Sequence, residues 1–516
     1  MNDVLQTHRP VVMGRRGMVS TGHPIASTEG LRVLLGGGNA MDAALTAAFV
    51  LAVVKSYHCG LGGDVFLLYY SARHRKVFSL NGSGRSPRRL VKDHYHSTIP
   101  KVGILAAALP GAVDGWCEAA AKFASRDLKA LVEPAIVYAE EGFPVFANLA
   151  RVINSSVSKF ASAAGWPEIF LPGGSAPRIG SIFRQQDLAR SLKEIAAYGR
   201  DGFYQGWIAD SLVATSQRSG GFFDHADLKQ HRSRWDEPIH AGYRGREIYV
   251  PPPNSYGLFL LLQLKLLEGC DLAGHAARLA SQLQAQQRAA ADGEEWIADP
   301  SSIDLAALRQ WLQKYPEGLR VTTAPIAPEA GGDTTYIAVA DEQGNWASLI
   351  QSVHQSFGCG VVVDGTGIVL NDRMPGFNLV PGHANELAPG KLPAHTLCPA
   401  LVMKNGEPEM AVGTPGGMGQ TQFLAQLICN LFDLGMDVQQ VIEAPRWQSE
   451  RVGQVDFESR IPAEVIDSLP KDRYRTKVVG AWDPAMGGAE AILRDESSGV
   501  LLGGADPRRD GYAMGF

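Results

Sequence analysis

The sequence has no Cys-x-x-Cys pair. Its six cysteines, Cys59, Cys117, Cys270, Cys359, Cys398 and Cys429, are scattered, which points to free thiols rather than a disulfide framework or a zinc site. A long hydrophobic run is missing too: the apolar stretch at 43–54 covers 12 residues before Lys55, too few to span a bilayer, and reads as a buried helix. Basic charge is not in excess. With 48 Lys and Arg against 53 Asp and Glu, and a net charge of −5, the chain lacks the footprint that a nucleic-acid backbone demands. The opening residues lack the basic start and apolar stretch of a secretory signal, so a cytoplasmic location is expected. Repeats, low-complexity tracts and long linkers are absent, and a length of 516 residues alone suggests two to four domains without saying where they divide.

Familiar catalytic and ligand signatures are also absent. There is no G-x-S-x-G of a serine hydrolase. Gly36-Gly37-Gly38-Asn39 lacks the G-K-[ST] of a phosphate loop, and a helix C-cap followed by a turn explains it. His94-Tyr95-His96 offers two imidazoles without a convergent third ligand and reads as a surface strand. No metal or cofactor is expected.

Helices and strands are both abundant. Helical spacing marks 27–35, 41–54, 112–123, 130–141 and 188–198, and strand composition marks 65–70 and 76–80. An Ala/Gln/Arg-rich stretch at 276–293 predicts a solvated surface helix. Residues 321–333 carry two prolines, end in Gly-Gly-Asp, and read as an exposed, extended segment. After them the character changes at once: 334–340 is a strand, 341–345 a Gly-containing turn and 346–353 the return strand, with a second strand–turn–strand at 360–370. Layered sheets covered by helices follow from this alternation.

Thr334 stands at the first position of that strand. A threonine hydroxyl is a weak nucleophile unless a base sits beside it, and an N-terminal threonine carries its own base in its α-amine. That amine has an unperturbed pKa of about 7.7–8.0, close to working pH. Using it requires a cut at Asp333–Thr334. A second feature, Gly413-Thr414-Pro415-Gly416-Gly417-Met418-Gly419-Gln420, is a glycine-rich turn ahead of a helical run at 421–434, where backbone N–H groups of Gly416 and Gly417 are placed to face an anion. Acyl transfer needs such donors for its tetrahedral oxyanion.

On these residues the chain resembles the γ-glutamyltransferase family of N-terminal-nucleophile hydrolases. The resemblance runs over nearly the whole length, through Gly37-Gly38-Asn39-Ala40-Met41-Asp42, Gly60-Leu61-Gly62-Gly63-Asp64, Pro251-Pro252-Pro253-Asn254-Ser255, Asp333-Thr334-Thr335, Pro415-Gly416-Gly417, Met486-Gly487-Gly488 and Asp506-Pro507-Arg508. It implies an α+β fold, the four-layer αββα sandwich, in a single unit over 1–516 that cleaves itself into a large chain 1–333 and a small chain 334–516. It also implies Thr334 as both processing residue and nucleophile, Gly416 and Gly417 as the oxyanion hole, and Ser352 as a hydroxyl bonded near the nucleophile.

Departures from the family pattern are equally informative. Transferases of the family grip the glutamyl α-carboxylate with an Arg where this chain has Ser83, and the α-ammonium with an acid where it has Gly376. Arg373 replaces a neutral amide, His354 an Asn, and His395-Thr396 a pair of serines. A γ-glutamyl zwitterion would meet unpaired charges there. With Arg373, Arg85, His354 and His395 near the expected pocket, a basic site suited to a small anion without an ammonium is expected. The resemblance therefore points to the branch of glutaryl-cephalosporin acylases and oxamate amidohydrolase, and to an amidase for a small carboxylate-bearing, oxamate-type substrate. The alternatives are a γ-glutamyl hydrolase or transferase in which Arg85 supplies the missing grip, and a non-catalytic homologue. The expected partners are a small amide and the chain's own two fragments, with a dimer of these left open, and neither nucleic acid nor membrane.

Overall fold

The computed structural model describes residues 7–95, 98–319, 332–451 and 453–516. The expected hairpin forms from strands Asp333–Ala340 and Trp346–His354, paired antiparallel with Ala340 opposite Trp346. Asp341 closes its turn by accepting the backbone N–H groups of Gln343 and Asn345, each at 2.9 Å.

This hairpin is the middle of a seven-stranded sheet in the order Tyr512–Gly515, Met18–Thr21, Asp333–Ala340, Trp346–His354, Asp64–Ser71, Lys76–Gly82, Arg234–Asp236. A second seven-stranded sheet runs Val12–Gly14, Leu501–Ala505, Glu490–Arg494, Glu407–Gly413, Ala400–Lys404, Arg246–Val250, Ile239–Tyr243. Every neighbouring pair within the two sheets is antiparallel.

Side chains alternate across each strand, and here both faces are dry. Ile337 and Val339 join an apolar cluster under the helices, whereas Tyr336, Ala338 and Ala340 join one between the sheets with Phe66, Ile350, Leu401 and Ile492. Each large side chain buried in this way contributes roughly 1.5–3 kcal/mol. The outer helical layers are Pro24–Leu35, Ala40–Val54 and Ala112–Phe123 on the first sheet, and Gly257–Leu267 and Gln420–Phe432 on the second. Helix, sheet, sheet, helix is the four-layer sandwich expected.

The buried helix expected from the apolar run is Ala40–Val54, buried at every residue and started by a capping box between Asn39 and Asp42. The preceding glycines end the helix Pro24–Leu35, with Gly37 at φ +82°. No helix among the described residues is long and apolar enough to cross a membrane.

Some expectations are corrected. The helix His275–Gly293 is not simply solvated: Leu279 and Leu283 pack with Trp447 and Phe457, and Ala285 and Ala289 join the core beside the Gly257–Leu267 helix. His94 lies in a 3-10 turn, Lys92–Tyr95, rather than a strand, because the Tyr95 ring turns inward against Leu90 and Phe377. His96 falls outside the described residues, as does the extended segment except for Gly332 and Asp333.

Candidate active site

Two neighbouring strands bring Thr334 and Ser352 together. Thr334 lies on the Tyr336 face of its strand and Ser352 on the Ile350 face of the next, so both point between the sheets. The Thr334 hydroxyl donates to Ser352 Oγ at 3.2 Å, and Ser352 donates in turn to the carbonyl oxygen of Asp333 at 2.6 Å. A hydroxyl relay thus runs from the side chain of residue 334 back to the peptide group in front of it. Thr334 is almost sealed, at 1% exposure. Gln420, the first residue of its helix, reaches Thr334 Oγ1 with Nε2 at 3.5 Å while its Oε1 accepts from the Cys398 N–H.

The glycine turn lies beside this relay. Gly416 has φ +132° and Gly417 φ +53°, successive positive values that suit glycine, and a β-carbon on Gly416 would sit 2.7 Å from the Phe423 ring. Gly332 packs on this turn: its own β-carbon would come within 2.8 Å of Gly417 Cα and 3.3 Å of Gly417 N. In the uncut chain Gly332 therefore lies against Gly417, one of the two residues expected to serve as donors.

A cavity of about 470 Å³ opens next to His354 and Met418. Tyr256, Phe259, Ile297 and Phe377 form apolar wall, and Arg373, Thr396, Asp372 and Glu294 are polar points on it. Arg373 is 2% exposed and held from behind, where Nε donates to Asp64 Oδ2 at 3.1 Å. Its Nη1 is 3.5 Å from Thr396 Oγ1, and its Nη2 has no hydrogen-bond partner among the described residues. One edge of the guanidinium is satisfied and the other is not.

Asp64 is the hub of this group. It also accepts from Gly84 N at 2.9 Å and from His395 Nε2 at 3.1 Å. Burial pushes its carboxyl up, but the His395 hydrogen bond and the charge of Arg373 outweigh it and hold the group below the usual carboxylate range. Burial, helped by Arg373, pushes the His395 imidazole down to about 3, so that ring is neutral and donates through Nε2–H. His354, with φ +81°, donates its backbone N–H to Ser352 Oγ at 2.7 Å, and its Nδ1 meets the Asp372 carbonyl at 3.0 Å. Because a carbonyl only accepts, Nδ1 donates in that contact.

The structure brings Thr334, Ser352, Gly416, Gly417, His354, Arg373 and Thr396 into one region and moves two expected residues away from the cavity. Arg85 donates to Asp299 Oδ2 at 2.7 Å and to the Gly390 carbonyl at 3.0 Å, and does not line the cavity. His395 lies behind the wall, fully buried on Asp64. The basic pocket expected is therefore corrected to one unsatisfied guanidinium edge, because Asp64 takes up much of the Arg373 charge and Asp372 and Glu294 line the same space.

Sequence reading missed Asp64, Gln420, and the residues around the Asp333 side chain, His58, Ser356 and Arg509. Asp64 and Arg509 lie inside or next to motifs quoted above, and that proximity was the available signal. Among the described residues no group of three or more His, Cys, Asp or Glu is placed to hold a metal ion.

Several known proteins resemble this chain over nearly its whole length. A family profile described as gamma-glutamyltranspeptidase matches residues 26–516. The glutathione hydrolase-like YwrD proenzyme of Bacillus subtilis is 38% identical, covering 98% of this chain and 99% of that one. The oxamate amidohydrolase proenzyme of Klebsiella pneumoniae is 34% identical, covering 97% of this chain and 98% of its own. Among solved structures, the cephalosporin acylase from Bacillus halodurans superposes with a TM-score of 0.92 at 34% identity, covering 100% of this chain and 99% of its own.

Proposed function

This chain belongs to the gamma-glutamyltranspeptidase family, and on that premise we propose that it is a self-cleaving threonine amidohydrolase acting on the amide of a carboxylate-bearing substrate. The observation that carries this reading is the relay from Thr334 through Ser352 to the Asp333 carbonyl.

In the uncut chain, Thr334 Oγ attacks the carbonyl carbon of Asp333 while the Ser352 hydroxyl polarises the carbonyl oxygen. The C–N bond breaks, the hydroxyl proton passes to the leaving nitrogen, and an ester joins Asp333 to Thr334 Oγ. One water hydrolyses that ester, leaving a carboxylate on Asp333 and a free amine on Thr334. The fragments, 1–333 and 334–516, remain one folded unit because each sheet contains strands from both.

In the processed enzyme the Thr334 amine takes the proton of its own hydroxyl as Oγ attacks the substrate amide. Gly416 and Gly417 offer N–H donors to the oxyanion. Ammonia or an amine leaves, and water releases the acid. The unsatisfied edge of Arg373, with Thr396 beside it, is assigned to the substrate carboxylate, since a guanidinium fork matches it bidentately. Oxamate fits this scheme as the smallest such substrate. A second reading within it, favoured by a cavity of about 470 Å³ with an apolar wall, is a longer acyl chain that still ends in a carboxylate. The γ-glutamyl alternative needs Arg85 at the cavity, and Arg85 is engaged by Asp299.

Denaturing electrophoresis tests the first half: fragments of 333 and 183 residues from the wild type, and one intact band from Thr334→Ala. Turnover by the processed enzyme of oxamate, of a longer ω-carboxylated amide and of a γ-glutamyl anilide tests the second. Efficient anilide cleavage that Arg85→Ala abolishes would overturn the assignment.

A further inference from the structure

Asp333 contributes more than its carbonyl to the bond proposed to break. Oδ1 of its side chain accepts from Arg509 Nη1 at 2.8 Å, and Oδ2 lies 3.1 Å from His58 Nε2 and accepts the Ser356 hydroxyl. These three partners come from separate parts of the chain: the turn after the Ala40–Val54 helix, the loop after the Trp346–His354 strand, and the turn before Tyr512–Gly515. Arg509 is itself fixed. Its Nε and Nη2 donate to the Pro484 carbonyl at 3.2 and 2.8 Å, and its stem lies over Gly488, where an added β-carbon would be 2.7 Å from Cδ.

The electrostatics assign a role to each partner. Burial pushes the Asp333 carboxyl up, yet His58 and Arg509 hold it well below the usual range. Burial pushes the His58 imidazole down to about 3, so it lies beside the carboxylate as a neutral ring, and Arg509 is the charged member. The Thr334 hydroxyl and the Asp333 carbonyl bond Ser352 instead of any of the three. The three partners act on the side chain alone, at the point where the pairing register of the two strands breaks between Asp333 and Thr335.

We propose that Arg509, His58 and Ser356 form a carboxylate cradle whose function is to position Asp333 for self-cleavage, so that Asp333 and Arg509 are positioning residues for the first reaction of this protein. The proposal rests on the reading that the chain cuts itself at 333–334. Its physical basis is leverage. With the side chain anchored on one side and Ser352 holding the carbonyl on the other, the carbonyl carbon loses its freedom to swing away from Thr334 Oγ, and misplacement of about 1 Å costs on the order of 10²-fold in rate.

The test follows loss of the 516-residue band in wild type, Asp333→Asn, Asp333→Ala, Arg509→Ala and the double alanine variant. Mass spectrometry of the small fragment and a thermal melt accompany each time course. Wild type is expected to cut before Thr334. Each single alanine variant should cut at the same bond at least tenfold more slowly, and the double variant no more slowly than the slower single, because both residues act through one contact. Asp333→Asn, which keeps the shape and loses the charge, should also be slowed and keeps the test decisive if an alanine variant fails to melt cooperatively. Wild-type rates in Asp333→Asn and Arg509→Ala, or effects that multiply in the double variant, would overturn the cradle while leaving self-cleavage intact. A wild type that never yields the 183-residue fragment would overturn the reading beneath it.

Discussion

Arg373 shows how little a side chain's charge means before its partners are known. Read alone it is a free cation in a basic pocket; in the fold, Nε is committed to Asp64 and only the Nη edge remains for a ligand. A hydrogen bond to a charged group contributes about 1.5–3 kcal/mol, so Arg373→Ala should lower kcat/KM for a carboxylate substrate by roughly ten- to a hundredfold. The same variant should change turnover of an amide lacking the carboxylate far less. Equal losses on both substrates would mean that Arg373 only holds Asp64 in place. Thr334 was visible beforehand as a threonine at a strand start, a local fact, whereas Ser352 was reached only through the family resemblance. Asp64, Gln420 and Arg509 were not visible, because each earns its place through a contact with a distant segment.

At the level of elements, the nucleophile is aimed by strand alternation and by how closely the two sheets approach. Gly413, at the end of the Glu407–Gly413 strand, lies against Tyr336: a β-carbon there would be 2.1 Å from the ring, too close for any rotamer to relieve without movement. Tyr336 is two residues from Thr334 on the same face, and its hydroxyl is paired with Ser348 Oγ at 2.7 Å. Gly413→Ala should therefore cost about 1–3 kcal/mol, as overpacking does, visible as a lower midpoint in urea, and should slow cleavage at 333–334 as the strand shifts. An unchanged midpoint would mean that the sheets separate freely here. Hairpin and helices were readable from composition and period, down to the Ala112–Phe123 boundaries. The inner face of His275–Gly293 was not, because alanine and glutamine do not announce burial and only the neighbouring helix supplies it.

For the whole molecule, the buried histidines set a pH dependence. Burial lowers His58 and His395 to about 3 and His231 to about 4, and lowers His23 well below its ordinary value. A histidine with a depressed folded pKa leaves the folded state with fewer bound protons than the unfolded chain, whose imidazoles titrate near 6.5. Its contribution is fully present above that value and is lost as pH falls toward the folded pKa. Glu490 and Asp227 act in the opposite sense: burial raises both carboxyls, Asp227 to about 6, so their contribution fades as pH rises through the same window. With His275 also lowered and Asp236 also raised, five histidines act against three carboxyls, so stability should rise between pH 4.5 and 6.5. Urea unfolding of the Thr334→Ala chain should show the midpoint rising over that interval and levelling above it; a flat or falling profile would contradict the neutral, buried state of these rings.

By itself the sequence determined the alternation of strands and helices, the threonine at the head of a strand and the glycine turn before a helix, and its ordered motifs carried the family resemblance that implied the αββα architecture. All of these are written within short windows, where period and turn chemistry act locally. Only the tertiary structure decided which charges face one another. Asp64 meets Arg373 across 309 positions, and Asp333 meets Arg509 across 176. The interior has low dielectric, so the partner of a buried charge decides whether it is spent on the fold or left for a substrate. That choice belongs to packing, and it turned an expected basic pocket into one open guanidinium edge.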